Sequence, residues 1–240
     1  MAQKKRSNSK SKQSFTKKAT SILTRLFVWF LLVSVLWVLI YRFLNPPITL
    51  LMVLRNIERK SEGKVLKMEK EWVDFKDISD NMKRAAVSAE DQLFLKHIGF
   101  DVNAIEKAFK TNKKGEKVKG GSTISQQTAK NVFLWPGRSW IRKGFEAYFT
   151  LLIEMLWSKE RILEVYLNVI EMGDGIYGAE AAAQAYFGKS STKLTRSQAA
   201  LIAACFPNPR RWTPKKPTRY IKHRQYLIMK NMRRLGPLDF

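Results

Sequence analysis

The segment ILTRLFVWFLLVSVLWVLIYRFL, residues 22–44, constrains this chain more than any other. Its only charges are Arg25 and Arg42, close to its two ends. As a helix it would be about 34 Å long at ~1.5 Å per residue, enough to cross a ~30 Å hydrocarbon layer. Both arginines have stems long enough to reach the headgroups. A cleaved signal peptide fits less well, because the apolar run is long and no small-x-small cleavage site follows it. The chain is expected to divide into a basic tail over 1–21, one transmembrane helix over 22–44 and a domain over 45–240. The lysine-rich stretch KKRSNSKSKQSFTKK precedes the span. The N-terminus should therefore stay cytoplasmic and the domain should lie on the far side of the membrane.

The net charge is +24, and nine of the bases precede residue 45, where there is no acid. A surface this basic suits nucleic acid, anionic lipid or phosphate-bearing substrates. The expected orientation removes nucleic acid as a partner and leaves lipid and phosphate. The single cysteine, Cys205, lies in the apolar run AALIAACF and is expected to be buried filler. With only two histidines, His97 and His223, and no H-E-x-x-H, no zinc cluster can be built.

Pro46 and Pro47 should end the membrane helix. Residues 48–57 then read as a short apolar helix, too short to span, that either packs on the domain or lies in the membrane interface. Beyond residue 60 the pattern is mainly helical. Ser79, Asp80 or Asn81 can cap one helix, and TISQ (123–126) and TRSQ (195–198) have capping-box spacing. In SKERILEVYLNVI, Ser158 is a cap, and Ile162, Val165, Tyr166 and Val169 share an apolar face. LTRSQAALIAACF should be a buried core helix ending near Pro207. KVLKMEKEWVDF is the best candidate for a short hairpin or extended piece. The glycine- and lysine-rich KTNKKGEKVKGGS is expected to be mobile. The basic C-terminal stretch, with Trp212, Tyr220 and Tyr226 between its charges, reads as a lipid- or phosphate-facing surface.

Three segments carry groups suited to chemistry. In AVSAEDQLFLKHIGFD, a helix would put Glu90, Phe94 and His97 on one face at i, i+4 and i+7, with Asp91 turned away by roughly 100°. Taken alone, a solvated acid pair at a helix end is the simpler reading. In KGGSTISQQTAKNVF, Thr123, Gln127 and Lys130 form a second i, i+4, i+7 stripe, behind glycines that let a ligand approach the backbone. In RKGFEAYF, Arg142 and Lys143 precede Glu146. The Arg142–Glu146 pair reads either as a plain helix salt bridge, of slight benefit because the base lies N-terminal to the acid, or as a charged site group beside two cations.

These segments, in this order, resemble the peptidoglycan glycosyltransferases, the chain-polymerising enzymes of bacterial wall synthesis. The matching stretches are AEDQLFLKHIGFD, GGSTISQQTAKN, RKGFE, SKERILEVYLN and GDGIYGAEAAAQAYFGK, and the likeness covers roughly residues 50–214. One transmembrane helix and no transpeptidase domain make the chain look like the monofunctional biosynthetic type. The resemblance implies a mainly α, lysozyme-like head lobe with a small membrane-associated jaw lobe. It implies polymerisation of lipid II into β-1,4 glycan with inversion and release of undecaprenyl diphosphate, in the bacterial cytoplasmic (inner) membrane. Partners would be lipid II, the growing lipid-linked glycan, membrane lipid and proteins of wall synthesis or division. It implies Glu90 as base and Glu146 as second catalytic glutamate. Asp91 would support the Glu90 site, and Phe94 and His97 would shape the acceptor pocket. Thr123, Gln127 and Asn131 would contact sugar or phosphate. Lys130, Arg142 and Lys143 would stabilise the diphosphate, and Gly120 and Gly121 would let the preceding loop move. No cofactor is expected to bind tightly, with room left for a divalent cation (magnesium or manganese) at the donor diphosphate. The two glutamates should stand farther apart than the ~5 Å of a retaining glycosidase pair. Two rivals remain at this level: a lysozyme-type hydrolase using Glu90 as acid, and a non-enzymatic membrane scaffold.

Overall fold

The computed structural model describes residues 2–102, 106, 121–137 and 139–240. Most of the stretch expected to be mobile, including Gly120, lies outside the described residues. The chain forms two units, Met1–Leu44 and Asn45–Phe240.

The first unit is the single helix α1, Ala2–Phe43, whose Thr20–Phe43 part is long and apolar enough to cross a membrane. Trp29, Leu32 and Val33 face outward along it, a pattern that water would penalise and hydrocarbon would not.

In the second unit, Thr49 caps α2 (Leu50–Ser61) by accepting a hydrogen bond from Met52 N–H. α2 runs further than the apolar stretch 48–57, because Glu58, Arg59 and Lys60 are good helix formers at its C-terminal end. Of the two alternatives for this segment, packing on the domain is seen at one face. Met52 is fully buried, while Leu50, Val53 and Ile57 are exposed at helical spacing. Then come β1 (Glu69–Lys70), α3 (Asp80–Glu90), α4 (Ile124–Phe133), α5 (Trp140–Leu156), α6 (Lys159–Val169), β2 (Glu171–Gly173), β3 (Ile176–Tyr177), α7 (Ala179–Phe187), α8 (Arg196–Ala204) and α9 (Arg219–Leu235). Ser79 is the cap of α3, both capping boxes form, and Ser158 caps α6. The protein is mainly helical, as expected.

KVLKMEKEWVDF makes no hairpin. Within it β1 is an extended piece that pairs in parallel with β3, Glu69 opposite Ile176 and Lys70 opposite Tyr177. The hairpin is formed by β2 and β3, whose turn needs Gly175 at φ +71°, where an added Cβ would lie 2.7 Å from the Lys67 carbonyl oxygen. These strands are too short for period-two alternation to be read from the sequence.

The core is built around α6. Ile162, Leu163, Val165, Tyr166, Leu167 and Val169 are all fully buried, so this helix is covered well beyond one face, with only the edge of Lys159, Glu160, Arg161 and Glu164 reaching solvent. Asn168 is also fully buried and exchanges two hydrogen bonds with the backbone of Val73, at 2.9 and 3.0 Å. It thereby fixes an irregular segment against the central helix and leaves neither backbone group unpaired. α8 is a core helix, as expected, and Cys205 after it is buried.

Candidate active site

α3 ends at Glu90, and Asp91 leaves the helix with φ −159° and ψ 79°. This overturns the expectation that Glu90, Phe94 and His97 share a helix face. The physical cause is competition for the Asp91 carboxylate. One oxygen accepts from the Ile124 N–H at 3.0 Å, at the free N-terminus of α4, and the other pairs with His97 Nε2 at 2.8 Å. Continuing α3 would forfeit both bonds. His97 therefore partners Asp91, and the two adjacent acids do different work. Phe94 is fully buried, with Lys159 Nζ 4.7 Å from its ring centroid. Lys159 also donates to the His97 carbonyl at 2.7 Å and to Glu154 at 2.8 Å, which pins the turn from below.

Glu90 Oε2 accepts a 2.9 Å hydrogen bond from Gln127 Nε2. Gln127 lies in the first turn of α4, which Thr123 holds in place. Thr123 Oγ1 donates to the Gly99 carbonyl at 2.6 Å and accepts from Gln126 N–H. Burial raises the Glu90 carboxyl above the usual glutamate range; the Gln127 bond, Arg224 and Lys130 pull it back only in part. Burial likewise raises Asp91, against the opposing effect of His97 and the Ile124 N–H.

A second charged group lies on α5, started by its cap Ser139. Glu146 is buried, with Arg142 Nη1 on one oxygen at 2.9 Å and Lys143 Nζ on the other at 2.5 Å. Burial pushes the Lys130 ammonium down, Glu146 opposes this, and Arg142 and Lys143 add to it. Three cationic side chains from α4 and α5 thus interact around one carboxylate.

A cleft of about 450 Å³ opens beside them, lined by Gln127, Lys130, Asn131, Arg142 and Tyr166 among others. A smaller hollow of about 260 Å³ is lined by Glu90, Asp91, Gly121 and Thr123 with neighbouring residues. Glu90 lines the small hollow and Gln127 the large one, so the Glu90–Gln127 bond sits where the two approach. The structure brings Glu90, Gln127 and Lys130 together, and separately Lys130, Arg142, Lys143 and Glu146. Three further residues belong here. Tyr166 lines the cleft with its hydroxyl 3.5 Å from Gln127 Oε1. By sequence it reads only as part of an apolar face. Arg55, a lone cation in an apolar run, also lines the cleft, and that isolation was a legible signal. Arg224 acts on Glu90 from α9, far away in sequence, and nothing local marked it.

Chemically, the arrangement offers a proton acceptor held by a neutral amide and a cationic wall suited to a diphosphate. Known proteins give this geometry a context. Residues 58–233 match the family described as Transglycosylase. The chain is 50% identical over 214 residues to the biosynthetic peptidoglycan transglycosylase of Stutzerimonas stutzeri, covering 89% of this chain and 88% of that one. A protein of the same description from Ectopseudomonas mendocina is 50% identical over 217 residues, 90% of each chain. One from Pseudomonas fluorescens is 47% identical over 218 residues, 91% of each. With the family matched over most of the second unit and relatives matched over nearly nine-tenths of the chain, this protein belongs to the peptidoglycan transglycosylases and is a glycan-building enzyme of cell-wall synthesis.

Proposed function

We propose that this enzyme joins lipid II to a growing lipid-linked glycan, with Glu90 as the general base. The observation that carries the reading is the Glu90 carboxylate, bonded to Gln127 at the approach of two hollows and beside the Lys130 cation group. Ionised Glu90 takes the proton of the acceptor sugar 4-hydroxyl as that oxygen attacks the donor anomeric carbon. The bond from that carbon to the diphosphate oxygen breaks, and undecaprenyl diphosphate leaves with the electron pair. Lys130, Arg142 and Lys143 stabilise the charge that develops on it. One displacement turns the α-linked donor into a β-linked product. Glu146 orients Arg142 and Lys143 rather than acting on a proton, since both its oxygens are engaged by cations. Asp91, His97, Phe94 and Thr123 act by holding the turn and α4 in place, and Asn131, buried in the cleft wall, faces the donor.

A protein-held divalent ion does not fit these residues. Glu146 is already neutralised, and among the described residues no group of three His, Cys, Asp or Glu could hold a metal. No step above runs through one.

Residues 1–21 are read as a cytoplasmic tail, 22–44 as the span in the bacterial cytoplasmic membrane and 45–240 as the domain outside it. The exposed stripe of Trp140, Ile141, Leu151 and Met155 on α5, like that of α2, supports contact of the domain with lipid. Incubating the detergent-solubilised protein with lipid II tests the reaction. Glu90→Gln should lower polymerisation by about a hundredfold or more while the far-UV circular dichroism stays unchanged; turnover retained in this variant would refute the base role.

A further inference from the structure

Glu90 receives its hydrogen bond from a neutral side chain, and an amide can present either of two ends. If Gln127 turned over, its Oε1 would face the carboxylate and repel it. Something must select the N–H end. Tyr166 lies on the other side of the amide, fully buried in α6. Its hydroxyl donates to Gln127 Oε1 at 3.5 Å, while Gln127 Nε2 donates to Glu90 Oε2 at 2.9 Å. Burial, with the nearby Glu90 and Asp91 charges, pushes the Tyr166 phenol well above its ordinary value. The hydroxyl therefore stays protonated and must donate. Turning the amide over would leave this buried O–H without its acceptor.

We propose that Tyr166 is a positioning residue for the general base, locking the Gln127 amide with its N–H end toward Glu90. The inference rests on the assignment of Glu90 as base. Gln127 then favours the ionised, proton-accepting form of the carboxylate. Tyr166 touches no reacting atom in this scheme; it acts through Gln127. The other charged groups that act on Glu90 are Lys130 from α4, Arg224 from α9 and Asp91 next along the chain. All three remain when the Tyr166 hydroxyl is removed, so a change in the titration of Glu90 reports on the amide.

The test compares wild type, Tyr166→Phe, Gln127→Ala and the double variant in lipid II polymerisation across pH. Tyr166→Phe should lower kcat by about tenfold and leave KM within about twofold. It should also move the acidic limb of the kcat profile to higher pH, because a carboxylate that loses its N–H donor holds its proton more tightly. The double variant should be no worse than Gln127→Ala alone, since both remove one interaction. Additive losses, or a fall in kcat with the acidic limb unmoved, would overturn the proposal and reduce Tyr166 to core packing. Should the Phe variant fail to fold, nitrogen-15 NMR of the Gln127 side chain in the wild-type protein decides. One N–H should shift as Glu90 titrates, and an amide that rotates freely overturns the lock. Glu90→Gln is assayed in parallel. If it is inactive while Tyr166→Phe is normal, only the Tyr166 role fails; if it is active, the base assignment fails first.

Discussion

Glu90 and Asp91 are neighbours in sequence whose chemistry diverges because each meets a different partner. Asp91 is spent on structure, tying the turn that carries His97 to the N-terminus of α4. Glu90 is left with one neutral donor and a surrounding that disfavours its charge. Its carboxyl is raised in the folded protein, so protonation favours the native state. The corresponding stability is present at low pH and is lost as pH rises through the window between the ordinary glutamate value and the raised one. Above that window the ionised group is a cost to the fold, the kind of cost expected of the base proposed above. Glu90→Gln should therefore raise the melting temperature by a few degrees at neutral pH and change it little in acid, measured by calorimetry at both. A lower melting temperature at neutral pH would mean that the carboxylate is a net stabiliser. The identity of the two acids was legible in the sequence. Their division of labour was only partly so, because the helix expected to carry Glu90, Phe94 and His97 on one face stops at Glu90.

Among the elements, α6 backs the site from the core. It supplies Tyr166 to the cleft and buries its apolar side chains well beyond one face. Asn168 anchors the irregular segment around Val73 to it. Asn168→Ala would strand the half-buried N–H and C=O of Val73 and should destabilise the protein by about 1–3 kcal/mol in chemical denaturation. A smaller loss would mean that water replaces the amide. Helix starts are legible wherever a hydroxyl cap and its N3 partner lie within four residues, as at Thr123 and Thr195, because that physics is local. The strands are not. β1 and β3 are two residues each and pair across more than a hundred positions of chain, so their partners exist only once the helices have packed. The same holds for the stripes of α2 and α5, whose apolar side chains look like core material until the packing leaves them uncovered.

At the scale of the whole molecule the charge of +24 is the governing quantity, since it acts on any anionic surface regardless of detail. Binding of the full chain to detergent-free vesicles should persist at high salt through α1. The extra retention on vesicles containing anionic lipid should fall as ionic strength rises, followed by co-sedimentation. Equal retention on neutral and anionic vesicles at low salt would show that the basic surface contributes nothing. Composition and short spacing are enough to yield the apolar span, the basic balance, the caps, the helical class and the identity of the candidate acids, amide and cations. Which of these meet is a matter of long-range packing. It ended α3 at Glu90, gave His97 to Asp91, set Gln127 against Glu90 with Tyr166 behind it, and brought Lys130 into the field of Glu146. The physical reason is that hydrogen bonds and charge pairs act over a few ångströms, while these partners lie tens of residues apart. Their distances are set by the packing of α3, α4, α5 and α6, and no local pattern encodes them.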